Sequence, residues 1–432
     1  MPADSAGPKP AWYRWLLQFY RLAVLVAIAW IIRSHAVHLR VSGLTPVTLG
    51  EVQLVLGAAT ELRDDPGERS GVFVHDAGGK KIGYALRTAP VSDNIIGYCG
   101  WTDSLVVFDT ALHVLGVRVR SSQDTREHVG DVKGDPYFLK TWNGKSWDEI
   151  ARTTPEEAGI EGVSGATLTS MAVAEGIQRR LLSTNEVLAV PRAPMRWKAR
   201  DLGLAAVVLS AGVLAFIGTH GRPWMRRGFQ VLVIVYVGFI NGDLLAQSIF
   251  VGWAEHGIPS RTAPGLVLLL AAAFVIPWTT GKPLYCQHIC PHGAAQELLH
   301  RIAPRRWRLH LRADVDRALR WLPPGLLFVV LGAALLLLPI DPAHLEPFDA
   351  YVIRSAGWAT ITIAIVGLIA SLFVPIAYCH YGCPTGAVLN FIRRHGSPDQ
   401  FGRRELTALV LVAFALLLSR YHVPIHAWMV AE

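Results

Sequence analysis

The 432-residue chain has few charged residues and few cysteines, and each shortage excludes a class of protein. Charged side chains make up 17% of the chain and hydrophobic ones 52%, which is too apolar for a wholly soluble protein and indicates an integral membrane protein. Five cysteines, four in matched pairs and Cys99 alone, do not form a disulfide framework. The net charge of +8 lies in short loops between apolar runs, and no basic face interleaved with aromatic residues is present, which excludes nucleic-acid binding.

Four of the cysteines belong to one pattern that occurs twice. The pattern Tyr-Cys-x-x-x-Cys-Pro-x-Gly-Ala begins at Tyr285 and again at Tyr378, each time after an apolar segment. Two cysteines at positions i and i+4 share one helix face, and the following proline ends or redirects the backbone pairing. Two such ends brought together supply the four thiolates of one iron–sulfur cluster, which would be Cys286, Cys290, Cys379 and Cys383. A zinc site and a thiol pair without metal are the alternatives.

Three histidines lie inside the repeated pattern, at positions 288, 292 and 380. They could bind a metal or carry protons. We predict solvated histidines at a membrane interface instead. Cys99 stands between glycines and is predicted to be a packed small side chain rather than a ligand.

Seven apolar stretches predict an all-α polytopic membrane domain over residues 201–432, preceded by an N-terminal anchor over residues 1–40. The anchor contains the run 12–32; Ser34-His35-Ala36 after it could serve as a signal-peptidase site, although we expect an uncleaved anchor. The other six runs are 202–217, 231–251, 266–278, 326–340, 360–376 and 406–418.

The distribution of Lys and Arg over the short loops predicts the orientation of these spans. Loops around residues 222–227, 282–320 and 393–404 are rich in both and are expected to be cytoplasmic, whereas residues 253–264 and 341–357 carry one Arg each and are expected outside. We therefore predict a multi-pass protein of the bacterial cytoplasmic membrane with the cysteine motifs at the cytoplasmic face. Residues 41–190 would be exported and followed by a basic linker over residues 191–200.

The exported part is predicted to be an α+β domain. It would contain a helix from Pro46 to Leu62, two hairpins and a closing helix from Met171 to Leu182. The first hairpin pairs residues 71–75 with 81–86, and the second pairs residues 105–108 with 114–119.

A hydroxyl-rich stretch precedes the closing helix. It consists of Ser164, Gly165, Ala166, Thr167, Leu168 and Thr169. Ser and Thr commonly cap a helix start, and a helix start also suits a phosphate. The stretch resembles the acceptor pattern of the FMN-binding domain family, in which the Thr bonds the flavin phosphate. The resemblance implies FMN attached covalently through Thr167 by a flavin transferase, with noncovalent FMN as the alternative, because Glu161 stands where the family usually has Asp.

An FMN-binding domain followed by spans with two Cys-x-x-x-Cys-Pro motifs resembles the NosR/NirI family of membrane flavoproteins. The layout is similar to the shorter members associated with reductive dehalogenases, because no ferredoxin-type cysteine run follows Cys383. The resemblance implies an electron-transfer component, not a stand-alone enzyme, that passes electrons from quinol or another donor towards an exported reductase or its maturation partner. A membrane redox sensor is the alternative, although no recognisable effector domain is present. A scaffold protein without redox traffic is a third possibility.

Overall fold

The computed structural model describes residues 10–42, 46–67, 69–185, 197–217, 223–336, 338, 340–352, 356–395 and 399–430. The chain divides into two compact units. The sheet unit comprises Ala36–Met195 and Glu255–Thr262, and the helical unit comprises Met1–His35, Arg196–Ala254 and Ala263–Glu432. Most of the predicted basic linker, residues 191–196, lies outside the described residues, as do Arg222 and Arg354 of the predicted loops.

The sheet unit is built on a five-stranded antiparallel meander in which each strand pairs with the next along the chain. Both predicted hairpins are confirmed, and a fifth strand precedes them. The strands are β1 (Glu61–Asp64), β2 (Val72–His75), β3 (Lys81–Arg87), β4 (Thr102–Phe108) and β5 (Val114–Ser122).

Both faces of the sheet are covered by helices, which is why every residue of β4 is buried. The first face packs against the short helix α2 (Leu49–Gln53), whose Val52 is fully buried beside Val74 and Leu105. The predicted helix from Pro46 to Leu62 is wrong in its extent, because α2 ends after five residues and Leu62 pairs with Val74 in the sheet. The amphipathic pattern there reports burial against the sheet, which a short helix and an edge strand share.

The second face packs against three further helices of the sheet unit: α3 (Arg126–Gly134), α4 (Trp147–Arg152) and α5 (Thr167–Asn185). Phe108 of β4 lies against Trp147 of α4, with ring centroids 5.1 Å apart. The closing helix predicted from Met171 begins four residues earlier, at Thr167. The hydroxyl-rich stretch therefore forms the start of α5 and the turn before it.

The helical unit begins with α1 (Ala11–Ser42), of which residues up to His35 belong to this unit. Its other helices are α6 (Ala199–Ile217), α7 (Pro223–Leu232), α8 (Gln247–His256), α9 (Pro264–Thr280), α10 (Pro291–Ile302), α11 (Ala313–Leu319), α12 (Leu322–Leu335), α13 (Trp358–Phe373), α14 (Ala377–Tyr381), α15 (Pro384–Ile392) and α16 (Arg403–Val430). A π-helix, Val233–Asn241, continues α7, and a π-helical turn, Tyr285–Ile289, precedes α10.

Four stretches in the described part of the chain are long and apolar enough to cross a membrane: Ala11–His38, Ala199–Ile217, Ala313–Leu335 and Arg403–His422. Helices α9 and α13 are apolar but shorter. The run 231–251, predicted as one unbroken span, is interrupted after Asn241. Gly242 adopts a left-handed conformation (φ +76°), and the chain stays non-helical until Gln247. Glycine reaches this conformation without the steric penalty that a side chain would bring.

Helix α1 is bound into the helical unit by a buried cluster of charges near its N-terminal end. The guanidinium of Arg21, which is fully buried, donates to the carboxylates of Asp399 and Glu405, each at 2.7 Å. Toward its other end, His35 contacts the carbonyl oxygen of Leu335 at 2.8 Å. Removing one partner from such a buried network leaves an uncompensated charge, which typically costs about 3–5 kcal/mol. Helix α1 is thus an integral part of this unit.

Helices α10 and α15 are half-helices that begin inside the unit. The ring of His292, in the first turn of α10, packs beside Gly367 in the interior of α13, where an added Cβ would be 3.1 Å from Nε2. Helix α15 ends near the end of α9, where the N–H of Arg394 donates to the carbonyl oxygen of Pro277 at 3.0 Å. Its nine residues span about 13 Å, so Cys383 lies about that far inward. The cysteine motifs therefore lie alongside neighbouring helices, which differs from the expected position at one face.

Candidate functional site

The turn before α5 holds the predicted flavin acceptor, Thr167, as the first residue of a 19-residue helix. Its hydroxyl donates to the carbonyl oxygen of Val163 at 3.3 Å, and the N–H of Val163 donates to Ser170 Oγ at 2.9 Å. Gly165 turns the chain with φ +90°, a conformation that favours glycine. Of the six predicted residues, Ser164 is exposed, Gly165, Thr167 and Leu168 are partly exposed, and Ala166 and Thr169 are buried. A partly exposed hydroxyl beside unpaired helix N–H groups suits a phosphate ester.

Asp124 joins three segments around this turn. Its carboxylate accepts hydrogen bonds from the N–H groups of Tyr98 and Cys99, both at 2.9 Å, and from the hydroxyl of Thr169 at 2.6 Å. A Cβ at Gly97 would lie 2.2 Å from Asp124 Oδ2, so this close approach requires glycine. The 97–100 turn, Asp124 and the start of α5 are thereby brought together. Cys99 is buried in this turn, as predicted for a packed side chain.

The two cysteine patterns fold into the same local turn. Cys290 and Cys383 each stand directly before a helix in extended conformation, and each is followed by proline at the first helical position. The sulfur of Cys290 accepts from the N–H of Gly293 at 3.5 Å, and that of Cys383 from the N–H of Gly386 at 3.1 Å. A thiolate at a helix N-terminus is stabilised by the helix dipole and by these N–H groups.

The structure brings the two patterns together. Gln296, in α10 of the first copy, donates from Nε2 to the sulfur of Cys379 in the second copy at 3.2 Å. A Cβ at Gly293 would lie 3.7 Å from the same sulfur. The four thiols of Cys286, Cys290, Cys379 and Cys383 are near enough to interact electrostatically with one another. They form one cluster of sulfur ligands rather than two separate pairs.

The arrangement of these thiols distinguishes between the kinds of metal site. No group of three or more His, Cys, Asp or Glu side chains in the described ranges is arranged to hold a single metal ion. In a 4Fe-4S cluster each thiolate binds a different iron atom, so the four sulfurs surround a larger group. Four thiols and no histidine or carboxylate beside them also match the ligands of such clusters. The donor set therefore fits an iron–sulfur cluster better than the alternative of a zinc ion.

The three histidines of the motifs lie in different environments. His380 is exposed and His288 is partly exposed. His292 is fully buried and its Nδ1 lies 3.0 Å from the hydroxyl of Tyr351. The prediction of a solvated histidine is wrong for His292, because α10 begins inside the helical unit and carries its first turn with it.

Three residues of the site were missed by the sequence analysis: Gln296, Glu346 and Tyr351. Gln296 lies one turn after the first pattern, where polarity in an apolar surrounding was the available signal. The other two come from the segment between α12 and α13, and their contacts with the motifs could not be read from spacing. The amide oxygen of Gln296 also accepts from the N–H of Tyr378 at 3.0 Å, which joins α10 to the start of the second pattern.

Comparisons with known proteins agree with this geometry. Residues 97–181 match the sequence model of the FMN-binding domain family, and residues 262–310 and 356–404 match that of a 4Fe-4S binding domain. The two 4Fe-4S matches each contain one of the cysteine patterns. The regulatory protein NosR of Pseudomonas aeruginosa is 28% identical over 180 residues, covering 38% of this chain and 25% of NosR. NirI of Paracoccus denitrificans is 30% identical over 233 residues, covering 47% of this chain and 33% of NirI.

The chain is a NosR/NirI-like protein. It carries an FMN-binding domain and a duplicated 4Fe-4S binding domain. It also matches YccM of Escherichia coli, described as a candidate electron transport protein, at 31% identity over 147 residues, covering 31% of this chain and 40% of YccM. The alignments span a quarter to two fifths of the length of these three relatives. No solved structure matches the chain.

Proposed function

We propose that the NosR/NirI-like chain is a membrane electron-transfer flavoprotein that works as a component and not as a stand-alone enzyme. The observation that carries the proposal is the joining of the two cysteine patterns into one cluster of thiols, in a chain that also has an FMN-binding domain. A bound 4Fe-4S cluster and a bound FMN supply one-electron chemistry. The chain's own residues bind and orient these groups.

Within the metal site, Cys286, Cys290, Cys379 and Cys383 would be the ligands. The starts of α10 and α15 direct backbone N–H groups at two of the sulfurs, and Gln296 directs an amide at a third. The glycines at 293 and 386 leave space beside the sulfurs, since an added Cβ would lie 3.7 Å from Cys379 Sγ or 3.3 Å from Cys383 Sγ. These contacts favour thiolates and leave room for a bulky inorganic group.

In the sheet unit, Thr167 would carry FMN as a phosphate ester made by a flavin transferase. Its position at the start of α5 and the close packing around Asp124 support this role. In-gel flavin fluorescence of the denatured protein tests the attachment. Wild type and Ser164→Ala are expected to fluoresce and Thr167→Ala to be dark; a fluorescent Thr167→Ala protein would exclude Thr167 as the attachment site.

We propose further that the polypeptide spans the bacterial cytoplasmic membrane seven times, with the FMN-binding domain outside and the basic loops inside. The apolar helices, including the shorter α9 and α13 and the interrupted stretch 231–251, support the count. The buried ion pairs of Arg21 support an uncleaved first span. Reporter fusions after residues 190, 310 and 400 should report outside, inside and inside; an internal reporter after residue 190 would contradict this orientation.

The donor is proposed to be quinol or a cytoplasmic reductant, and the acceptor an exported reductase or its maturation partner. Because the cysteine cluster lies alongside the helices and not beyond their ends, the path to an exported flavin is shorter than from a site at the cytoplasmic face. Reduction of the flavin by quinol in membrane vesicles tests this route. Flavin reduction that persists in Cys286→Ser and Cys379→Ser proteins would contradict it.

A regulatory role is the second candidate, since the matching NosR protein is described as regulatory. A redox sensor would change the transcript level of a neighbouring reductase when the flavin is lost. An electron-transfer component would change that reductase's activity at an unchanged transcript level. A strain with Thr167→Ala distinguishes the two roles when transcript and activity are measured together.

A further inference from the structure

The segment between α12 and α13 contacts both cysteine patterns at the same position of the repeat. Residues 341–352, which we name the clamp segment, contain two 3-10 helices, Pro342–Leu345 and Asp349–Tyr351. The patterns carry His292 and Thr385 at the position after Cys-Pro. The Tyr351 hydroxyl lies 3.0 Å from Nδ1 of His292, and the Glu346 carboxylate accepts from the N–H of Thr385 at 3.2 Å. One segment thus holds both halves of the site.

Glu346 lies between the starts of two helices. One carboxylate oxygen accepts from the N–H of Thr385 in the first turn of α15, and the other accepts from the N–H of Gln247, the first residue of α8, at 2.6 Å. The side chain of Gln247 in turn donates to Thr385 Oγ1 at 3.1 Å. Helix N-termini favour a negative charge, so two of them create a place for a carboxylate. Glu346 is nonetheless 1% exposed, and burying a charge is costly unless it has such partners.

The negative charge of Glu346 also acts on the cysteine cluster. The carboxylate interacts electrostatically with the thiols of Cys290 and Cys383. Within the described ranges Glu346 forms no ion pair with Lys, Arg or His, so no adjacent cation cancels its field. Charge near an iron–sulfur cluster is one of the factors that set its reduction potential.

We infer that Glu346 is a positioning residue that holds the two Cys-Pro turns together and lowers the reduction potential of the metal site through its charge. The inference rests on the proposed iron–sulfur site. Reduction of that site adds one electron and forms no bond, and a nearby negative charge makes this addition less favourable. The isosteric change Glu346→Gln removes the charge and keeps one oxygen to accept a backbone hydrogen bond.

The test is a redox titration with dithionite, followed by electron paramagnetic resonance, on the full-length protein purified in detergent. Burial raises the pKa of Glu346 to about 7, against the opposing effect of its hydrogen bonds, so the titration is run at about pH 8.5 where the carboxyl is ionised. We expect Glu346→Gln to keep its iron and to favour reduction at least about tenfold, which is a positive shift of about 59 mV for one electron. Glu297→Gln is the matched control, since Glu297 pairs with Arg226 and Arg301 on α10.

An unchanged potential in an iron-containing Glu346→Gln protein would overturn the inference. If Glu346→Gln loses its iron, Glu346→Asp decides, because it keeps the charge. Iron retained in Glu346→Asp at the wild-type potential supports the role of the charge, and iron lost in both variants overturns it in favour of packing alone. Wild-type protein without an iron–sulfur signal would contradict the proposed function itself, which separates the two failures.

Discussion

The two copies of the cysteine pattern fold into the same turn and are surrounded by different residues. Both place a cysteine before a helix with proline next and glycine donating its N–H to the sulfur. Six residues after the capping cysteine, however, the first copy has Gln296, which donates to Cys379, and the second has Leu389, which is buried. The hydroxyl of Tyr285 accepts from the N–H of Leu245 at 3.0 Å. The equivalent hydroxyl of Tyr378 is buried without a hydrogen-bond partner among the described residues.

The comparison shows what a repeated motif determines and what it leaves to its surroundings. The turn depends on Cys, Pro and Gly, which the two copies share, so its geometry repeats. Hydrogen bonds to the sulfurs depend on residues outside the motif, so they do not repeat. The four thiols are therefore equivalent as ligands and unequal in the electrostatic surroundings that they meet.

Removal of a cysteine from either copy should have the largest effect and should be the same in both. If one cluster needs all four thiols, Cys290→Ser and Cys383→Ser should each lower the iron content of the purified protein at least about tenfold, since even outer contacts of a metal site change affinity by about 10–100-fold. Cys99→Ser should leave iron unchanged, because Cys99 belongs to the sheet unit. Loss of half the iron in each variant would indicate two separate sites.

Alanine in place of the two motif glycines should affect the first copy more. A Cβ at Gly293 would lie 3.0 Å from the backbone oxygen of Cys286, whereas one at Gly386 would lie 3.3 Å from the side chain of Cys383. We expect Gly293→Ala to lower the free energy of unfolding by about 1–3 kcal/mol and Gly386→Ala by less. Thermal unfolding in detergent measures this. Gly332→Ala in α12, where nothing lies within 4 Å, is the control and should be neutral; a Gly293→Ala protein as stable as this control would contradict the close packing.

Gln296→Leu should make the first copy resemble the second. It removes the hydrogen bond to Cys379, which stabilises the reduced, more negative site, so the reduction potential should fall by the equivalent of about 1 kcal/mol. A redox titration measures the shift. Gln230→Leu, which removes a contact with Glu297 away from the thiols, serves as control. Equal potentials in Gln296→Leu and wild type would show that the asymmetry has no electrostatic consequence.

The smallest effect is expected for the two tyrosines. Tyr285→Phe removes a buried hydrogen bond to the backbone of Leu245 and should destabilise the helical unit by about 0.5–1.5 kcal/mol. Tyr378→Phe removes a hydroxyl without a partner in the described structure and should be neutral or slightly stabilising. Thermal unfolding of the two variants side by side provides the measurement, and the reverse order of stabilities would be inconsistent with these contacts.

Local chemistry explains what could be predicted from the sequence. Alternation of apolar residues and turn glycines predicted both hairpins of the sheet. Ser, Gly and Thr before an apolar run predicted a helix start near Thr167, although the helix begins earlier than expected. Repetition of the cysteine pattern predicted that the two copies would meet.

Long-range packing accounts for what was not predicted. The stretch 231–251 is continuously apolar apart from Asn241, Gly242 and Asp243, so hydropathy alone predicts one span and misses the break. Asp243 forms an ion pair with Arg200, more than forty residues away in the chain. Glu346 reaches Gln247 and Thr385 across separations of 99 and 39 residues. No local periodicity encodes such contacts, and with them the depth of the cysteines in the helical unit remained hidden.

The central claim is that one iron–sulfur cluster joins the two copies, and the metal and sulfide content of the wild-type protein tests it most directly. Anaerobically purified protein should contain about four iron and about four acid-labile sulfide atoms per chain, as a 4Fe-4S cluster requires. A content of about one zinc per chain, or iron without labile sulfide, would contradict the account.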